Sequence, residues 1–175
     1  DRETRLWFEK TLSVRADYDL AYLNYLDSLM PRWGGSNEET KAFGKACLHP
    51  ALQDTDVPLH LLTAHRNRSI ESGNKTTYWR MLPEDEKLEI LEMIDNQLAS
   101  RPHPASQRYY LSLKTALLYL FVRYEETATV LGQVGKGLDS GAFSGLPLTE
   151  DEIIMTLVVN RIPVHFVKKN QKLLK

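Results

Sequence analysis

Ser106-Gln107-Arg108-Tyr109-Tyr110-Leu111-Ser112-Leu113-Lys114-Thr115-Ala116-Leu117-Leu118-Tyr119-Leu120-Phe121-Val122-Arg123-Tyr124 decides the fold class. It holds no proline or glycine, and its apolar residues (Tyr110, Leu113, Leu117, Leu118, Leu120, Phe121) fall on most faces of a helix. A helix apolar nearly all round belongs at the centre of a helical protein. Its strongly apolar run, Ala116 to Val122, is seven residues, where a membrane span needs roughly 20. The stretch therefore reads as a buried helix.

The flanks repeat the pattern. Upstream, Pro83 followed by Glu84, Asp85 and Glu86 suits a helix start, since carboxylates favour the positive end of the helix dipole. The expected core face of that helix is Leu88, Leu91, Ile94 and Leu98, supported by Ile90. Arg101-Pro102-His103-Pro104 reads as a rigid linker. Downstream, a helix from Glu125 to about Leu138 is weakened by Gly132, Gly135 and Gly137, and Gly141 to Pro147 reads as loop. Thr149 with Glu152 makes a capping box before Ile153, Ile154, Leu157 and Val158.

The N-terminal half reads the same way. A helix is expected over Arg2 to Val14, and another from Tyr18 to Met30 behind an Asp17 cap. Its face is Tyr22, Tyr25, Leu26 and Leu29. Pro31 stops it, and Gly34-Gly35 make a tight turn, because glycine tolerates positive φ. Ser36 with Glu39 is a capping box opening a helix to about Leu48, burying Ala42, Phe43, Ala46 and Cys47. Asp56 and Pro58 start another, using Leu59, Leu62 and Ile70. Ser72-Gly73-Asn74 breaks the pattern, and the stretch to Leu82 has no clear period. No alternating strand is found. The expected fold is all-α, with seven or eight helices in antiparallel pairs forming a tetratricopeptide-like helical repeat or an irregular bundle. Residues 1–160 are read as a single helical domain and residues 161–175 as a basic C-terminal tail.

Composition excludes several classes. One cysteine, Cys47, permits neither an internal disulfide nor a thiolate zinc cage. A net charge of −1, from 22 basic and 23 acidic residues, argues against a general nucleic-acid binder. The balance is uneven. Arg161, Lys168, Lys169, Lys172 and Lys175 sit in a tail without acidic residues, which leaves 17 basic against 23 acidic residues before it. Six carboxylates crowd Glu84 to Asp95, against Lys87 alone. The chain opens on Asp1-Arg2-Glu3 with no signal-peptide pattern, which reads as a fragment or processed chain in the cytoplasm.

Phe8-Glu9-Lys10-Thr11-Leu12-Ser13-Val14, followed by Asp17-Tyr18 and Ala21-Tyr22, resembles the junction between two tetratricopeptide repeats. Thr11 and Ala16 stand where a small alanine and a proline are usual. Tyr124-Glu125-Glu126-Thr127-Ala128 echoes the turn into a second repeat helix. Tyr22 through Ser36, ending in Pro31-Arg32-Trp33-Gly34-Gly35-Ser36, is similar to the closing segment of an uncharacterised bacterial family of tetratricopeptide-like helical proteins. The resemblance covers residues 1–48 and implies a bacterial origin and a helical-repeat fold, with no activity to carry over. Within it, Trp33 is expected at least half buried against the second or third helix, capping helix ends, with Arg32 stacked on an aromatic ring or bonding free carbonyls.

The search for chemistry is mostly negative. His60 and His65 are five apart, about 140° around a helix, so they do not share a metal. His49, His103 and His165 are scattered. Cys47 reads as a small buried hydrophobe. The glycines from Gly132 to Gly145 spell no phosphate loop. The leading reading is a non-enzymatic scaffold that binds another protein, without cofactor or metal. Within that class an immunity protein neutralising a basic bacterial toxin domain would use the acidic residues Glu84, Asp85, Glu86, Glu89 and Glu92 on the solvent side of their helix. The alternatives are an enzyme using His60, His65 or His103 between helices, and a structural module of a longer chain.

Overall fold

The computed structural model describes residues 2–135, 137–160 and 162. Among them the chain is all-α: nine α-helices, four short 3-10 turns and no strand. The tail assigned to residues 161–175, with Pro163 and His165, lies outside the described residues apart from Ile162. The chain divides into two compact units, Asp1–Gly73 and Asn74–Lys175. The division falls at Ser72-Gly73-Asn74, the pattern break in the sequence.

The first unit holds α1 (Arg2–Val14), α2 (Asp19–Ser28), α3 (Asn37–Ala46) and α4 (His60–Glu71). Aromatic packing joins the first three. The Phe8 ring stacks on Tyr25 at 4.4 Å and meets Tyr22 and Phe43 edge-on at 5.3 and 5.5 Å. Leu26, Met30, Cys47, Val57, Leu61 and Leu62 are buried around them. α3 approaches α4 closely because residue 44 is glycine. A Cβ there would stand 3.0 Å from that of Ala64 and 3.3 Å from the Leu61 Cα. This close approach buries Gly44 and Thr40, while Ala42 and Ala46, expected inside, are exposed. Asp17 is not the cap of α2. Tyr18 takes that position without a side-chain bond, and Asp17 pairs with Arg15 at 3.0 Å.

The second unit holds α5 (Lys75–Arg80), α6 (Glu84–Ser100), α7 (Pro104–Leu120), α8 (Tyr124–Val134) and α9 (Glu150–Val159). α5 occupies the stretch without clear period. Asn74 starts it by accepting a hydrogen bond from the Thr77 amide, and it carries the fully buried Trp79. α7 is central as expected, burying Tyr110, Leu113, Ala116, Leu117, Leu118 and Leu120 against its neighbours. It starts at Pro104 rather than Ser106. Proline fits the first helical position, and the His103 ring accepts from the Ala105 amide at 3.3 Å. The Thr149–Glu152 capping box is present in both directions.

α7 ends before the sequence pattern does. The Arg123 amide bonds the Leu118 carbonyl at 2.9 Å and the Val122 amide bonds that of Tyr119 at 3.0 Å. This double closure is the Schellman motif, whose turning residue is left-handed and usually glycine. Here it is Val122, at φ 64.

Candidate functional site

The acidic helix α6 is the candidate surface named by the sequence, and its outward face differs from the expected one. Glu84, Asp85 and Glu92 are exposed and Glu89 is half-buried. Glu86 is only 4% exposed, so its place among the solvent-facing carboxylates is corrected. Leu88, assigned to the core, is 51% exposed. At about 100° per residue, Glu86, Met93 and Gln97 join the expected Ile90, Leu91 and Ile94 in the buried set, which turns the centre of the core face away from Leu88. The buried polar residues explain the rotation. Gln97 accepts from the Tyr110 hydroxyl at 3.2 Å inside the α6–α7 interface, which satisfies a polar side chain within the core.

The outward stripe therefore runs Glu84, Leu88, Glu92 and Asp95, with Asp85 beside it. Two of its acids are engaged within the unit. Asp95 pairs with Lys114 at 2.6 Å. Glu84 lies 3.7 Å from Lys87 and 4.0 Å from Arg123, which itself holds Glu126 in a bidentate pair at 2.6 and 2.8 Å. Asp85 and Glu92 make no ion pair with any described residue.

The Pro31–Ser36 turn is ordered as its sequence suggests, but Trp33 is not. Pro31–Trp33 is a 3-10 turn, Gly34 is left-handed at φ 91, and Ser36 caps α3 by accepting from the Glu39 amide at 3.1 Å. The Trp33 side chain is 68% exposed and caps no helix end, contrary to expectation, and Arg32 is exposed with it. The rigidity of the turn comes from backbone instead. The Trp33 and Gly35 amides both bond the Met30 carbonyl, and the Thr40 hydroxyl donates to Leu29 O at 3.0 Å. With those partners in place the turn needs nothing from the indole.

His49, His60 and His103 have structural partners. His49 and His103 precede Pro50 and Pro104, and in both the ring Nδ1 accepts from the amide two residues on, at 3.2 and 3.3 Å. His60 is buried, stacked on Tyr22 at 5.6 Å, with Nε2 at 2.9 Å from Asp19 Oδ1. Burial holds its pKa below the ordinary value, with Asp19 opposing. Its Nδ1, the nitrogen away from Asp19, is shielded from solvent and has no hydrogen-bond partner among the described residues. Cys47 is buried, and burial pushes its thiol up to about 12. Among the described residues no group of three or more histidine, cysteine or acidic side chains is placed to hold a metal ion. No described helix is long and apolar enough to cross a membrane.

Sequence reasoning missed Leu88 and Val122 as surface residues. Leu88 completes a regular leucine period, which gives no sign of its exposure. Val122 closes the apolar run of α7, although Glu125 and Glu126 already mark a new helix start and require a turn just before them. No protein-family model matches the chain, and no curated protein or solved structure shows significant similarity to it.

Proposed function

We propose that the chain is a non-enzymatic protein-binding module, tetratricopeptide-like in its helical pairs, that acts in the cytoplasm. Within that class we propose an immunity protein that holds a basic toxin domain on the outer face of α6. The observation that carries this reading is Leu88, half exposed between Glu84 and Glu92. A lone exposed leucine is ordinary, but one set in a stripe of carboxylates offers a partner an apolar contact inside a field that selects for positive charge. Glu92 supports it, since an exposed acid in mid-helix without a partner adds little to folding, whereas Asp85 also serves the helix start.

The test begins with the basic protein recovered from the native cell by pull-down and identified by mass spectrometry. Asp85→Lys with Glu92→Lys should then slow its association about tenfold at low salt and flatten the salt dependence, as steering predicts. A cell carrying the toxin should survive with the natural chain and die with the double variant. An unchanged association rate and salt dependence would refute the acidic face as the docking site.

A further inference from the structure

We propose that Met81, Leu88 and Val122 form an apolar seat for a basic amphipathic helix of a protein partner. The proposal rests on the protein-binding reading above and adds the residues that would anchor the contact and the kind of segment they take. Met81 is 76% exposed, Leu88 51% and Val122 49%. All three belong to the end of the second unit where α6 begins and α7 turns into α8. Ring and charge contacts hold that end together. The Trp79 ring lies 6.5 Å from that of Phe121, two residues before Met81 in one segment of chain and one before Val122 in the other. The Lys87 ammonium stands 5.8 Å from the same Phe121 ring, and Arg123 reaches Glu84, one helical turn before Leu88.

Charge chooses the occupant. Two of the cations at this end are already committed. Lys87 is nearly covered between the Phe121 ring and Glu84, and Arg123 is forked onto Glu126. The remaining rim is acidic in balance: Asp85, Glu92 and Glu125 are exposed, against the single exposed cation Arg80 beside Met81. Such a rim repels phosphate, so neither nucleic acid nor an anionic membrane suits it. It attracts lysine and arginine. Separate aliphatic side chains inside a charged rim match the apolar stripe of an amphipathic helix, whose residues recur every three or four positions. Val122 is also placed at a conformational cost. Left-handed backbone disfavours β-branched residues most, and glycine would relieve it. Folding alone would favour a glycine in place of Val122, whereas docking favours a side chain there.

The test uses the full chain and a labelled synthetic helix with leucines on one face and lysines on the other. The controls are the same peptide with glutamates for lysines, and phosphatidylserine vesicles. Fluorescence anisotropy should show binding of the lysine peptide and of neither control. Leu88→Ser and Val122→Gly should each weaken it about tenfold, the loss expected for an anchor residue. Val122→Gly should at the same time raise Tm by about 4 °C as the strain is removed, so its loss of binding is not a loss of folding. If both variants bind as well as the natural chain while Asp85→Lys with Glu92→Lys abolishes binding, the apolar seat is wrong and the acidic docking face stands. If the lysine peptide does not bind, or vesicles bind equally, the seat and the docking face both fall.

Discussion

Gly35→Ala should be among the most damaging single changes in the first unit. An alanine Cβ at position 35 would stand 2.1 Å from the Leu29 carbonyl oxygen, 2.4 Å from its carbon and 2.7 Å from the Leu29 Cα. Contacts of this kind relax only near 3.5 Å or beyond, so the turn must open by more than about 1 Å. Every clashing atom is backbone at the end of α2, and none can rotate away. Opening also breaks the bond from the buried Thr40 hydroxyl to Leu29 O, at about 0.5–1.5 kcal/mol, because the hydroxyl keeps Ser36 O as an acceptor at 2.9 Å. Adding about 1–3 kcal/mol for overpacking brings the cost to roughly 1.5–4.5 kcal/mol, a large share of a small unit's stability. Gly34→Ala is the internal control. Nothing lies within 4 Å of its added Cβ, and φ is +91, so only left-handed strain of about 1–2 kcal/mol applies. Urea denaturation of the full chain measures both, and hydrogen exchange over residues 19–46 locates the loss. If Gly35→Ala costs no more than Gly34→Ala, the close approach of residue 35 to α2 is not what holds this turn.

Trp33→Ala should cost under about 1 kcal/mol, because most of the ring is already in water; a loss of about 3 kcal/mol or more by urea denaturation would show the indole packed. The Cys47 thiol, buried with its pKa pushed up to about 12, should resist Ellman's reagent in the folded chain at pH 8 and react fully in urea. Fast native labelling would contradict its burial. For His60 the sign follows from burial. Its folded pKa lies below that of the unfolded chain, so the unfolded state takes up the proton first as pH falls. Stability should be full above about pH 7 and decline as pH drops through the unfolded value near 6.5. Denaturation midpoints at pH 7.5 and pH 5 check this, and His60→Gln should flatten the difference; an unchanged slope would assign it to other groups.

Much of this architecture can be read without coordinates, because the physics behind it is local. Proline at 31 and 83, the Ser36–Glu39 and Thr149–Glu152 caps and the dense apolar content of Ser106–Phe121 act over three or four residues. They set the helices α2, α3, α6, α7 and α9 to within a few positions. The candidate site was legible only in part. Composition marked α6 as the acidic helix, and periodicity placed Ile90, Leu91 and Ile94 inside correctly but put Leu88 in the core and Glu86 in solvent. Hydrophobicity cannot register that Gln97 and Tyr110 satisfy each other or that Glu86 is buried. Those are decisions of the α6–α7 packing, and together they turn Leu88 outward. Trp33 shows the same limit. Its size argues for burial, yet the turn is secured by the Met30 carbonyl and Thr40 and the ring stays mostly in water. Val122 takes its left-handed turn because α7 must close and α8 must pack beside it. The sequence by itself determined which segments are helical, α5 excepted, since caps, breakers and period are properties of neighbouring residues. Only tertiary structure decided which face of each helix meets water, since that depends on what partner a buried polar group finds across the interface.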